Sequence, residues 1–183
     1  RSSPTQVGSA TNWSKLPVGN NIFFTGAIKT DGTLWTWGTN SVGQLGVNDL
    51  TYRSSPTQVG TGTDWNILGG GGAFGAVAIK TNGTLWTWGN ESSGQLGQGD
   101  AVRRSSPTQV GSATTWSKVQ SYNDRVTAIK TDGTLWAWGA NSDGQLGLND
   151  RVNRSIPAQV GVATNWSVAS IANRMAGGIK TDR

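Results

Sequence analysis

The segment Ile28-Lys29-Thr30-Asp31-Gly32-Thr33-Leu34-Trp35-Thr36-Trp37-Gly38 decides how this chain folds, because it returns almost unchanged as Ile79 to Gly89 and Ile129 to Gly139. A fourth copy opens at Ile179 and runs to Arg183. A second phrase, Ser-Ser-Pro-Thr-Gln-Val-Gly, begins at Ser2, Ser54 and Ser105 and returns as Ser155-Ile156-Pro157-Ala158-Gln159-Val160-Gly161. Pro4, Pro56, Pro107 and Pro157 place the period at 52, then 51, then 50 residues. Self-similarity at that period marks a repeat architecture, each repeat being one supersecondary unit.

The drift of the period locates a loop. Each Pro precedes the next Trp (Trp13, Trp65, Trp116, Trp166) by 9 residues, and each Ile precedes the next Pro by 28. All variation lies between Trp and Ile, where the spacing runs 15, 14, 13 and 13. Length changes survive where backbone is exposed and unpaired, not inside a ladder. The remaining segments read as four short strands per unit. Trp-Ser-Lys-Leu and its equivalents start the first, and the residues up to Ala27-Ile28-Lys29 form the second. A hairpin turn follows at Asp31-Gly32, Asn82-Gly83 and Asp132-Gly133, where residue types that tolerate positive φ are paired. Leu34-Trp35-Thr36-Trp37 alternates as the third strand, and a polar Gly-Gln-Leu-Gly stretch (43–46, 94–97, 144–147) turns the chain. Pro-Thr-Gln-Val supplies the fourth, with Pro where a missing N–H costs least. No segment carries a 3.6-residue apolar period, so the fold class is all-β.

Four strands in about 50 residues, repeated, read as β-propeller blades. The pattern Ile-Lys-Thr-Asp-Gly-Thr-Leu-Trp-x-Trp-Gly-x-Asn-Ser-x-Gly-Gln-Leu-Gly resembles the RCC1 (regulator of chromosome condensation) repeat family along essentially the whole chain. That resemblance implies blades of four antiparallel strands in a ring of about seven. This chain supplies about 3.5 of them as a single segment over 1–183, with units near 1–52, 53–103, 104–153 and a truncated 154–183. One departure is visible: the Gly-x-x-His that family members often carry before the second strand is missing. Three and a half blades leave an arc open. If each end face held roughly 500 Å², its burial would be worth about 12 kcal/mol. The remaining blades are therefore expected from the rest of a longer chain or from another copy.

Composition removes several chemistries. The 183 residues include no Cys and no His, which takes away thiolate sites and the commonest general base and metal ligand. No apolar run approaches membrane-spanning length. The acidic residues mostly repeat, as Asp31, Asp132 and Asp182 in hairpin turns and Asp49, Asp100 and Asp150 in the polar loop, so they read as turn-formers. The loops from Asn40 to Asp49 and their equivalents do not match the spacing of a calcium loop. No catalytic residue, metal or cofactor is expected, and the chain reads as a non-enzymatic module.

Ten tryptophans could suggest sugar stacking, but they recur at fixed strand positions, which points to packing between blades. The net charge of +5 is likewise periodic: Lys29, Lys80, Lys130 and Lys180, and Arg53, Arg104 and Arg154 with Arg1 in register. Evenly spaced rungs make a poor nucleic-acid patch, so a polyanion partner is not expected.

Only the segment between first and second strands differs freely from unit to unit. It offers Asn20, Asn21, Ile22, Phe23 and Phe24 in the first unit and Phe74 in the second. The third contributes Tyr122, Asn123, Asp124 and Arg125, and the fourth Asn173, Arg174 and Met175. A constant scaffold presenting unlike loops on one rim is how a binding surface is built, and several of these residue types are enriched at interfaces. The expected function is recognition of a protein or glycan partner through that rim. The family resemblance implies alternatives: a guanine-nucleotide exchange factor and chromatin binder, an enzyme inhibitor acting through the same rim, or a purely structural spacer. Uniform repeats of this kind also resemble those of secreted or virion surface proteins, which implies adhesion or receptor binding outside the cell.

Overall fold

A computed structural model of the chain describes residues 3–17, 23–72, 75–171 and 176–181. They form fourteen strands and, among the described residues, no helix. The first sheet contains β1 (Trp13–Lys15), β2 (Phe24–Lys29), β3 (Leu34–Gly38) and β4 (Arg53–Gln58), hydrogen-bonded in chain order. β5 (Trp65–Gly72), β6 (Gly75–Lys80), β7 (Leu85–Gly89) and β8 (Arg104–Gln109) repeat it. So do β9 (Trp116–Tyr122), β10 (Arg125–Lys130), β11 (Leu135–Gly139) and β12 (Arg154–Gln159). A fourth sheet holds β13 (Trp166–Ile171) and β14 (Ala176–Lys180). All pairings are antiparallel. Each of the three four-stranded sheets starts at a tryptophan and ends at the Pro-containing strand, so the structural blade is the sequence unit shifted round by one strand.

The core lies between sheets, not within them. Phe24, Ile28, Leu34 and Leu45 of the first blade pack on Trp65, Leu68, Ala78 and Trp88 of the second. Val77, Ile79 and Leu85 then pack on Trp116, Val119, Ala128 and Trp138 of the third. Neighbouring residues of β6 thus serve opposite seams: Ala76 and Ala78 face back, Val77 and Ile79 forward. The period-2 alternation of a strand explains why these second strands tolerate no polar face. At the third seam the buried cluster shrinks to Ile129, Leu135 and Ala169. β5, β9 and β13 touch across sheets, which places the first strands innermost and the Pro-containing strands on the outside.

A β-bulge after each leading tryptophan recurs in all four sheets, for example between Trp116 and Lys118 opposite Lys130 and Ile129. At Ser117 and Ser167 the bulged hydroxyl donates to the carbonyl of Ile129 and Ile179, at 2.9 and 3.1 Å. The extra residue re-aims the chain so that the tryptophan lies over the third strand. Trp65 sits 6.1 Å from Trp86 and 6.0 Å from Trp88, both near-perpendicular, and the first and third blades repeat the triad.

Candidate functional site

Antiparallel register sorts the connections onto two rims. Phe24 pairs with Gly38 and Arg125 with Gly139, so the β1–β2 and β3–β4 connections and their counterparts share one rim. The hairpin turns at Gly32, Gly83 and Gly133 lie on the other. On that second rim the side chains of each hairpin turn bind one another. Asp31 Oδ1 accepts from the Thr33 amide and hydroxyl, and the hydroxyl accepts from Trp35 Nε1 at 2.8 Å. The Thr33 donors hold the Asp31 carboxyl below its ordinary range, and Thr134 does the same for Asp132. Each turn also locks the next blade, because the Gly32 carbonyl accepts from the Trp65 amide at 3.1 Å and Gly83 and Gly133 repeat the bond.

The repeating cations are engaged as well. Lys29 lies 4.0 Å from the Trp35 ring, Lys130 3.9 Å from Trp136, and Lys180 4.9 Å from Trp166. Arg53 pairs with Asp49 at 2.5 Å and Arg104 with Asp100 at 2.7 Å, and Arg154 pairs with Asp150. Bidentate bonding from Arg104 holds the Asp100 carboxyl down to about 2. These repeating cations are thus held in place by neighbouring rings and carboxylates of the same blade.

The polar loop is more than a turn. Asn40, fully buried, donates from Nδ2 to the carbonyls of Asp49 and Thr51, and its Oδ1 accepts from the Leu45 amide at 2.9 Å. Asn141 repeats the pattern. The loop so shaped then reaches the next blade. The Gln44 carbonyl accepts from Trp88 Nε1 at 2.9 Å, the Gln95 carbonyl accepts from Trp138 Nε1 at 3.0 Å, and the Asn48 amide donates to Ser105 at 2.8 Å. Sequence reasoning missed this role, although the strict conservation of Gly-Gln-Leu-Gly between units was its signal.

The second blade breaks the rule, with Glu91 where the others have Asn. Glu91 Oε2 still accepts from the Leu96 amide at 2.7 Å, but a carboxylate offers no N–H to the Asp100 side of the loop. Burial pushes its carboxyl up, and the nearby Asp100 charge adds to the rise. A carboxyl raised in the fold contributes most below its unfolded value of 4.5, and that contribution is lost as pH climbs through the folded value. Asp100, depressed to about 2, has the opposite sign and loses its contribution only as pH falls from 3.8. Glu91→Gln is therefore expected to raise the melting temperature near pH 7 and to leave it unchanged near pH 3. Thermal melts across that range check this, and equal gains at both ends would refute it. Glu91→Asn, which restores the amide donor, is expected to add about 1 kcal/mol at neutral pH.

On the variable rim, Phe23 is 52% exposed and hands its carbonyl to the Thr39 amide at 3.0 Å. Tyr122, Asn123 and Asp124 are half-buried at the tip of the β9–β10 hairpin, with Asn123 at φ 52°. The Asp124 carbonyl accepts from the Ala140 amide at 3.0 Å, fixing the hairpin to the polar loop beside it. Phe24 and Arg125 differ from the sequence expectation of rim contacts. Phe24 is 4% exposed, its ring being part of the first seam. Arg125 is 5% exposed, with Nε 3.5 Å from Asp124 and the guanidinium 6.0 Å from the Tyr122 ring. Strand alternation, invisible where the loop length is unknown, turns both inward. Asn20, Asn21, Ile22, Phe74, Asn173, Arg174 and Met175 lie outside the described residues.

The sequence matches the family described as the regulator of chromosome condensation (RCC1) repeat over residues 31–68, 82–124 and 132–172. The chain belongs to the RCC1 repeat family. Protein RCC2 homolog of Danio rerio is 39% identical over 74 residues, which are 40% of this chain and 15% of that protein. Probable E3 ubiquitin-protein ligase HERC3 of Homo sapiens is 37% identical over 87 residues, 46% of this chain and 8% of that protein. The ultraviolet-B receptor UVR8 of Arabidopsis thaliana is 34% identical over 82 residues, 44% of this chain and 19% of the receptor. The RCC1-type stretch thus matches less than a fifth of each of these relatives. Among solved structures, Prp20p of Saccharomyces cerevisiae superposes with a TM-score of 0.80 at 16% identity, covering 93% of this chain and 44% of Prp20p. Human WBSCR16 follows at 0.75 and 23%, covering 88% and 43%. These likenesses show the RCC1 β-propeller fold, as the repeat pattern implied.

Proposed function

We propose that this RCC1-type segment is a non-enzymatic recognition module whose variable rim binds a protein. The observation that carries the reading is the contrast between rims. One rim is tied up in repeated turn, cation–π and inter-blade contacts, while the other presents unlike residues at equivalent places on near-identical blades. Phe23, Tyr122, Asn123 and Asp124 are its described members; Asn20, Asn21, Ile22, Phe74, Asn173, Arg174 and Met175 belong to the same loops by sequence. Four tryptophans (Trp65, Trp88, Trp116 and Trp138) are buried, and the half-buried rings of Trp35, Trp86 and Trp136 each carry a lysine ammonium. This favours a protein over a glycan, because fewer indole faces are left for stacking. The solved relative Prp20p is described by its binding to Gsp1p and histones, and a protein partner for this chain is in keeping with that precedent. A secreted or virion surface setting is part of the proposal and rests on the uniformity of the repeats.

Phe23→Ala combined with Tyr122→Ala and Asp124→Lys is expected to abolish capture of partners seen with the wild-type chain. Stability should change by only about 0.5 kcal/mol for Phe23→Ala alone, as for surface substitutions in general. It should change by more once Tyr122 and Asp124 are altered, because their ring and carboxylate sit against the buried Arg125. Phe23→Ala alone is therefore the variant that separates lost capture from lost stability. Phe24→Ala, by contrast, is expected to cost about 3–5 kcal/mol. Affinity capture beside thermal melts tests both. Retained capture by the rim variant, or equal loss on altering the opposite rim at Thr30 and Thr81, would overturn the assignment.

A further inference from the structure

The corner that leads into the fourth strand is built alike in all three four-stranded blades, yet carries different residues in each. In the first blade Asp49 Oδ1 accepts from the Thr51 amide at 2.8 Å. Arg53, which pairs with Asp49, donates from Nη1 to the Thr51 carbonyl at 2.9 Å. Asp100, Val102 and Arg104 repeat these bonds in the second blade, and Asp150, Val152 and Arg154 in the third. Both main-chain groups of the middle residue are thus consumed, and three residues are held rigid between a fixed Asp and a fixed Arg. That span reads Leu50-Thr51-Tyr52, Ala101-Val102-Arg103 and Arg151-Val152-Asn153. Its length never changes, so spacing along the chain gave no sign of this second variable place.

The variable side chains face solvent. Leu50 and Tyr52 are 52 and 62% exposed, and Val102 and Val152 are 57 and 61% exposed. The loop of Val102 is bonded to the following blade through Gly99 and Ser155, and its exposure still matches that of Val152, so it belongs to the corner itself. Neighbouring corners are stitched together: the Asn48 amide donates to the Ser105 carbonyl at 2.8 Å, and the Gly99 amide to the Ser155 carbonyl at 2.7 Å. Between the second and third corners stands Ile156, where the earlier blades have Ser55 and Ser106. It is 57% exposed and lies 3.3 Å from a Cβ built on Gly99. One apolar stripe therefore crosses three blades. Within its corners each Asp is spent on its Arg, whereas the exposed Arg103 and Arg151 have no ion pair among the described residues.

We infer that this stripe docks an extended acidic segment of a partner protein, in which carboxylates alternate with large apolar side chains. The apolar side chains are buried against Leu50, Tyr52, Val102 and Ile156, and the carboxylates reach the two uncompensated guanidinium groups, whose planar fork suits them. Because the corners are already fixed by their own Asp and Arg, little conformational freedom is lost on binding. Recognition runs through side chains, since the main chain of each middle residue is paired within its corner. The inference rests on the reading of this rim as the binding face and adds an outer site to it. The corners lie apart from the Phe23 loop, so altering them leaves that loop intact and the two readings fail separately.

The test is fluorescence anisotropy of the 183-residue chain with a labelled peptide of three Asp-Phe-Glu-Leu repeats. Its neutral counterpart, three Asn-Phe-Gln-Leu repeats, and a single-stranded DNA of the same length run beside it. Saturable binding of the acidic peptide alone is expected, weakening as salt is raised. Arg103→Gln with Arg151→Gln should lower its affinity about tenfold, and Val102→Ser with Ile156→Ser should do the same. All four positions are exposed, so thermal melts of both variants should match the wild type. Phe23→Ala should leave the peptide's affinity unchanged. Absence of saturable binding, equal binding of the neutral peptide or of the DNA, or unchanged affinity in either corner variant would overturn the inference. So would an equal loss in Phe23→Ala, which would move the contact to the inner loops.

Discussion

Gly97→Ala is expected to destabilise the 183-residue chain by about 3–5 kcal/mol, while Gly147→Ala costs only about 1 kcal/mol. The two glycines sit in the same Gly-Gln-Leu-Gly loop with φ of 68° and 69°, so the left-handed backbone penalty, about 1–2 kcal/mol, is common to both. What differs is the neighbour. At position 97 a methyl would strike Trp138 Nε1 at 2.8 Å, pushing the indole off the Gln95 carbonyl and out of a fully buried seat. Overpacking of that kind costs roughly 1–3 kcal/mol, and an unsatisfied buried indole N–H adds roughly 1–3 more. At position 147 the nearest atom is 3.5 Å away and no indole is displaced. Denaturant unfolding of both variants beside Gly46→Ala, which should behave like Gly97→Ala, decides the matter. Equal costs at 97 and 147 would mean that the loop, not the seam, is what the glycine serves.

The second large effect is expected from Trp88→Ala, at about 3–5 kcal/mol, against less than half of that for Trp37→Ala in the same chain. The two residues occupy the same position in identical Leu-Trp-Thr-Trp-Gly strands, yet Trp88 is fully buried against the first blade and Trp37 is half-buried. Truncating a buried tryptophan leaves a cavity and, here, an unsatisfied Gln44 carbonyl. In an array of repeats each seam is a nearest-neighbour term, so weakening one seam also loosens coupling along the array. Unfolding of Trp88→Ala should accordingly broaden, with a smaller apparent m-value, while Trp37→Ala keeps a single sharp transition. A matched loss at both positions would show that the indoles act within their own sheets.

Much of this was legible beforehand because repetition does the work of many observations at once. Constant 9- and 28-residue spacings fixed which segments are paired backbone, and the drift between Trp13 and Ile28 and its equivalents marked the loop that carries variation. Turn pairs such as Asp31-Gly32 and alternation in Leu34-Trp35-Thr36-Trp37 gave strand order within a blade. The rim residues were less legible. Phe23 and Phe24 are adjacent and chemically alike, yet one is 52% and the other 4% exposed, because a residue's face depends on where the strand begins. Nor could the charge pattern reveal that Lys29 lies over Trp35 or that Arg104 grips Asp100 with both nitrogens.

Local sequence alone determined that the chain is all-β, which segments turn, and that its units repeat, since those properties follow from periodicity, turn chemistry and proline placement. Only the tertiary structure decided that the polar loop of one blade is the socket for the next blade's tryptophan, and that Glu91 is a buried misfit. The physical reason is the separation involved: the partners Gln44 and Trp88 are 44 residues apart, and no local rule of spacing relates a carbonyl to a donor at that distance until sheets stack face to face.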